Sequence, residues 1–189
     1  MRAWPDPWNV MHCRMLSLAL CLVAVGATLP TPVAAAPAAE RPAERPHYGT
    51  GDAWMDRQLA DIDRYASDYP EAFAAEVERY AGTPRAYVHG LVAQPGWNPG
   101  DAWYACFLAR ALETDCRSVV RERARLGAEG DWAEVVAKLR KPEAPDPHVA
   151  LRLAMADAYR RWGRDLEPDA ALRRALQQRE REHAARAGR

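Results

Sequence analysis

Two cysteines, a row of arginines and a few tryptophans are the side chains here whose types and spacing could do chemistry. Cys106 and Cys116, if bonded, close a loop of about 11 residues, worth roughly 2.8 kcal/mol in the chain-entropy picture. Helix geometry argues the other way. Cys106 lies about seven residues before the expected turn, some 10 Å up its helix, whereas Cys116 opens the next one. A straight antiparallel hairpin would then hold the two Cα atoms beyond the roughly 7 Å limit of a disulfide, leaving two buried thiols as the alternative. The spacing is too long for a redox active-site pair. Arg117, Arg121 and Arg125 recur every fourth position, with Arg123 close by. Guanidinium groups in such a row can grip phosphates or the anionic groups of envelope lipids and glycans. The plainer reading is a solvated face opposite Cys116, Val119 and Val120. Trp97, in the loop Gln94-Pro95-Gly96-Trp97-Asn98-Pro99-Gly100, could offer an aromatic surface to sugars together with Trp103 and Trp132, or all three could be core.

Other chemistries lack their residues. Beyond position 35 the serines are Ser67 and Ser118 and the threonines Thr50, Thr83 and Thr114, with no Gly-x-Ser-x-Gly turn for a nucleophile. His47, His89, His148 and His183 are far apart, without HExxH, CxxC or an acidic calcium loop, so no metal is implied. No CxxCH exists for haem and no glycine-rich strand-to-helix turn for nucleotide phosphates, so no cofactor is implied. Paired carboxylates need only a fitting separation in space. Glu71, Glu76 and Glu78 are available for such a pair, or form a solvated face.

The elements that must position these side chains begin after an address. Arg14 precedes the apolar run Met15 to Leu29, broken by Pro30 and Pro32 ahead of the small residues Val33-Ala34-Ala35-Ala36. That order predicts a secretory signal peptide over residues 1–35, cut after Ala35, with translation starting at Met1 or Met11. Fifteen apolar residues fall short of the about 20 a membrane helix needs, and Leu20 ahead of Cys21 argues against a lipoprotein site. The alternative is a buried N-terminal helix. Export to the periplasm or beyond would discard Cys13 and Cys21 and leave Cys106 and Cys116 as a lone pair in an oxidising compartment. Residues 36–51, with AERP twice in succession, read as a Pro/Ala-rich disordered tether.

From Asp52 onward the apolar period is helical, and the expectation is a single all-α domain over residues 52–176 made of six to eight short amphipathic helices with a three-helix central unit. Met55, Leu59, Ile62 and Ala66 line the first. Pro70 opens the second and Gly82 stops it; Thr83-Pro84 and Asn98-Pro99 read as further starts. Asp101 to Glu113 is apolar around much of its circumference and belongs at the centre of the core. Cys116 to Leu126 follows, then a helix begun by Asp131 with Trp132, Val135, Val136 and Leu139. Leu151, Met155, Ala158, Tyr159 and Trp162 line another, and Glu167-Pro168 opens the last. Residues 177–189 carry no apolar stripe and form a polar tail, helical or disordered.

The string GWNPGDAWYACFLARALETDCRSVVRERARLGAEGDWAEVVAKL, residues 96–139, resembles uncharacterised small secreted helical proteins of Gram-negative bacteria. The resemblance implies secretion and a helical fold, and no activity. Of 189 residues, 26 are basic and 26 acidic, which denies a strong overall field for a polyanion; mean hydropathy of −0.45 and 28% charge deny a multi-span membrane protein. The leading expectation is an exported, non-catalytic protein of the cell envelope whose partner is an anionic envelope component or another protein. A cell-wall-active enzyme using carboxylates is the alternative. A helix-turn-helix nucleic-acid binder is a third, open only without export.

Overall fold

Short acidic side chains and prolines set where the helices begin. Asp52, Asp115, Asp131, Asp146 and Asp169 each stand just before a helix, and each carboxylate accepts a hydrogen bond from a backbone N–H of the first turn, at 2.6–3.0 Å. Pro70, Pro99 and Pro147 occupy first-turn positions, where a missing N–H costs nothing. The computed structural model describes residues 48–127 and 130–189. These form eight helices: α1 (Ala53–Asp68), α2 (Pro70–Ala81), α3 (Arg85–Val92), α4 (Pro99–Ala111), α5 (Cys116–Arg125), α6 (Trp132–Leu139), α7 (Pro147–Arg161) and α8 (Ala170–Ala187). No strand occurs among the described residues. The expected signal peptide and residues 36–47 of the expected tether lie outside them.

Three boundaries differ from the sequence reading. Tyr48 and Thr50, assigned to the tether, are buried at 3% and 1% exposure. The Tyr48 hydroxyl donates to Asp63 of α1, Thr50 donates to Asp56, and the carbonyl of Gly49 accepts the Ala133 N–H of α6 at 2.9 Å. This segment answers donors that the start of α6 would otherwise leave open. The last helix starts at Ala170, two residues later than Pro168 suggested, because Asp169 caps it and the Glu167 carbonyl accepts the Trp54 indole N–H at 3.0 Å. Pro84 flanks α3, while Thr83 is buried and makes no cap. The polar tail takes the helical alternative: α8 runs to Ala187, with only Leu172 buried along it.

α4 is the axis of the body. Every residue from Gly100 to Ala109 is buried, and the helix packs against α1, α2, α3, α5 and α7. Trp103 and Trp132 are fully buried, Trp103 stacked on Phe107 at 4.3 Å between ring centres. The aromatic platform considered for sugars therefore loses two of its three members to the core, where each large ring removes more apolar area from water than an aliphatic side chain.

The turn from α4 to α5 corrects the straight-hairpin geometry. Glu113 takes a left-handed backbone (φ 55°), the Thr114 N–H donates to the Ala109 carbonyl and the Glu113 N–H to the Arg110 carbonyl. This paired closure ends α4 at Ala111 and reverses the chain tightly. Cys116, the first residue of α5, thus comes beside Cys106, with Cα atoms 4.5 Å apart and the disulfide formed. Reducing it is expected to lower stability by about 2–3 kcal/mol. Urea unfolding with and without dithiothreitol measures this; coincident curves would mean the bridge contributes nothing.

Candidate functional site

α5 buries Cys116, Val119 and Glu122 and leaves Arg117, Arg121 and Arg125 exposed on the opposite face. Spacing by four residues puts side chains nearly one above another on a helix. The Arg117 guanidinium lies 5.2 Å from the Tyr87 ring centre, Arg121 donates to the Ser118 hydroxyl at 3.0 Å, and Arg125 donates to Glu122 at 2.9 Å. Glu122 also has Lys138 at 3.9 Å. Arg125 is thus partly neutralised, whereas Arg117 and Arg121 have no carboxylate partner among the described residues.

Beside this face a cleft of about 310 Å³ brings Trp97 together with Asp101 of α4 and Arg123 of α5. Trp97 is half-buried, its ring edge-on to Trp132 at 6.1 Å. Asp101 accepts the Asn98 N–H at 3.0 Å and the Trp132 indole N–H at 2.8 Å. Burial pushes its carboxyl above the usual range; those hydrogen bonds and Arg123 work against the rise, and the Asp63 charge adds to it. Arg123 donates to the Gly127 carbonyl at 2.8 Å and lies 5.7 Å from the Trp132 ring centre. The cleft therefore offers an aromatic wall, an acceptor at its base and a guanidinium, which suits holding a small polar molecule. Sequence reasoning placed Trp97 and Arg123 separately and missed Asp101. The available signal was the three-residue step from Asn98 to Asp101, in which the later side chain reaches back to the helix start.

Carboxylate chemistry needs two facing acids, and the acids proposed for it are dispersed. Glu71 is exposed, 3.4 Å from His89. Glu76 is buried and pairs with Arg161, whose guanidinium lies 3.6 Å from the Tyr80 ring centre. Glu78 pairs with Arg85 at 2.6 Å, and the hydrogen bonds from Arg85 hold its carboxyl below the usual range. Asp101 is the only acid among the described residues that line its cleft.

Of the histidines, His47 lies outside the described residues and His183 is exposed on α8. His148, in the first turn of α7, has its Nε2 2.8 Å from the Tyr104 hydroxyl. Burial drives the Tyr104 ionisation well above its ordinary range, so the phenol keeps its proton, and the His148 tautomer sets which of the two groups donates. Asp146 stands 3.7 Å from Nδ1. Burial lowers the His148 pKa below 6.5 and Arg152 assists, while Asp146, Asp52 and Asp56 oppose. The unfolded chain then takes up this proton first, so the native state loses stability as pH falls from about 6.5 through the folded pKa. The loss should be smaller in His148→Gln. Parallel stability curves for the two proteins between pH 7 and 5 would rule this out. No group of three or more His, Cys, Asp or Glu side chains that could hold a metal occurs among the described residues.

Comparison of the chain with protein-family models, with curated proteins and with solved structures gives no match.

Proposed function

We propose that this chain is an exported, non-catalytic helical protein of the cell envelope that binds anionic groups on the arginine face of α5, with the Trp97 cleft alongside. The observation that carries the reading is the display of Arg117, Arg121 and Arg125 on one exposed face, two of them without a carboxylate partner among the described residues. Planar guanidinium groups match the oxygen spacing of phosphates and carboxylates and take two hydrogen bonds each. The leader-like residues 1–35 support export, and the Cys106–Cys116 bridge is compatible with an oxidising compartment. A hydrolytic role would need a second acid across the cleft from Asp101, and none of the described lining residues supplies one.

Flotation with phosphatidylglycerol vesicles, phosphatidylcholine vesicles and duplex DNA as separate arms tests the proposal. The protein is expected to bind the anionic vesicles at low salt and to release as screening shortens the electrostatic range. The triple variant Arg117→Gln, Arg121→Gln, Arg125→Gln should bind about ten-fold more weakly with an unchanged thermal transition. Equal binding by the variant would overturn the arginine face, and a mature N-terminus at Met1 or Met11 would overturn export.

A further inference from the structure

We infer that a second cleft, between α6 and the start of α7, is a binding site for a small organic oxyanion: a carboxylate or phosphate carried on a short apolar chain. This cleft, of about 460 Å³, shares no residue with the α5 face or the Trp97 cleft. Its volume lies in the range of small-molecule sites. Ala133, Val136 and Ala137 of α6 form an apolar wall, and Arg140, Lys141 and His148 stand around it.

The charge on this lining has one sign. None of the described lining residues is an acid, whereas the cleft of about 420 Å³ beside Arg161 carries Glu113 and Asp157 against Arg110 and Arg161. The acids near His148 already have partners: Asp56 accepts from Thr50 at 2.5 Å, Asp52 pairs with Arg152, and Asp146, which is exposed and 3.7 Å from His148 Nδ1, caps α7. Arg140 is held in one orientation because its Nε and Nη2 both donate to the Ala144 carbonyl, at 3.0 and 2.7 Å. Its Nη1 has no hydrogen-bond partner among the described residues, and Lys141 makes no ion pair among them. The first turn of α7, which bears His148, adds the positive end of a 15-residue helix. An oxyanion at Arg140 and Lys141 would place a short apolar chain along Val136 and the two alanines, which accounts for both halves of the lining.

Amide NMR titration of the disulfide-bonded protein with hexyl phosphate, hexanoate, inorganic phosphate and hexanol tests the assignment. Saturable shifts at Thr50, Ala133, Val136, Ala137 and His148 are expected with one or both alkyl anions, the tighter one naming the headgroup. Inorganic phosphate and hexanol should bind about ten-fold more weakly, since each lacks one half of the recognition. Lys141→Met, at an exposed position, should weaken the alkyl anion by about five-fold without moving the thermal transition. Val136→Trp, which fills the cleft, should abolish the shifts. Shifts that do not saturate, shifts confined to residues 117–125, hexanol binding as well as the anions, or unchanged binding by Lys141→Met would each overturn the inference. None of these results bears on vesicle binding by the α5 arginines.

Discussion

Gly100→Ala is expected to lower the unfolding free energy by about 3 kcal/mol, even though alanine is the better helix former. A methyl group at this position would stand 2.4 Å from the Tyr48 hydroxyl oxygen and 2.8 Å from the Leu59 backbone carbonyl. The phenol could swing aside, but the carbonyl belongs to α1 and moves only if the two helices separate. Separation would lengthen the 2.8 Å hydrogen bond from the Gly100 N–H to Asp63 and loosen the Tyr48 hydroxyl from the same carboxylate. Asp63 is already costly to hold ionised, since burial raises its pKa against those two hydrogen bonds. Urea unfolding reads the result; a loss under about 1 kcal/mol would mean that α1 and α4 yield easily at this crossing.

Arg152→Met should cost a similar amount, about 3 kcal/mol, by removing the shared cation of two helix starts. Arg152 is 6% exposed and bonds at once to Asp52, which caps α1, and to Asp169, which caps α8. Its guanidinium carbon also lies 5.2 Å from the Trp54 ring centre. Both carboxyl groups are held below their usual range by Arg152 and by the N–H groups they cap, against a desolvation that works the other way. Their stabilisation is present above the ordinary aspartate pKa and fades as pH falls through the folded values. The variant should therefore lose most relative to the native protein at neutral pH and least near pH 2. A constant difference across that range would assign the cost to packing alone. Arg152→Lys keeps the charge but cannot reach both aspartates with a fork, and should recover less than half of the loss.

Helix positions were largely legible because their signals are local. An aspartate or proline at a start and a glycine at Gly82 or Gly163 act within a turn of themselves. The burial of α4 could be read from its apolar circumference. What escaped were interactions whose partners lie far apart in sequence, or whose backbone is unusual for its residue. Nothing local marks Glu113 as left-handed, and without that reversal a straight hairpin holds the cysteines too far apart. Tyr48 and Thr50 follow a Pro/Ala-rich run and read as its continuation, yet their partners are on α1 and α6. Arg152 resembles any other arginine on a helix until α1 and α8 are placed beside it. The arginine row of α5 is readable as an exposed face, but nothing in the spacing singles out Glu122 as the partner of Arg125. The cationic cleft left no sequence trace, since its lining comes from two helices and the segment between them.

The N-terminal anchor also orders events in time. Asp52 reaches Arg152 across 100 residues and Trp54 reaches Glu167 across 113. A chain delivered N-terminus first, from a ribosome or through an export channel, therefore presents α1 long before its last partners exist. Helices α1 to α5 can gather around α4 early, through contacts close in sequence. Closure of α1 against the start of α8 must wait until residues near Leu172 have emerged. Until then the Trp54 indole N–H lacks its acceptor at Glu167, and the chain is most exposed to proteases and to mispairing with its neighbours.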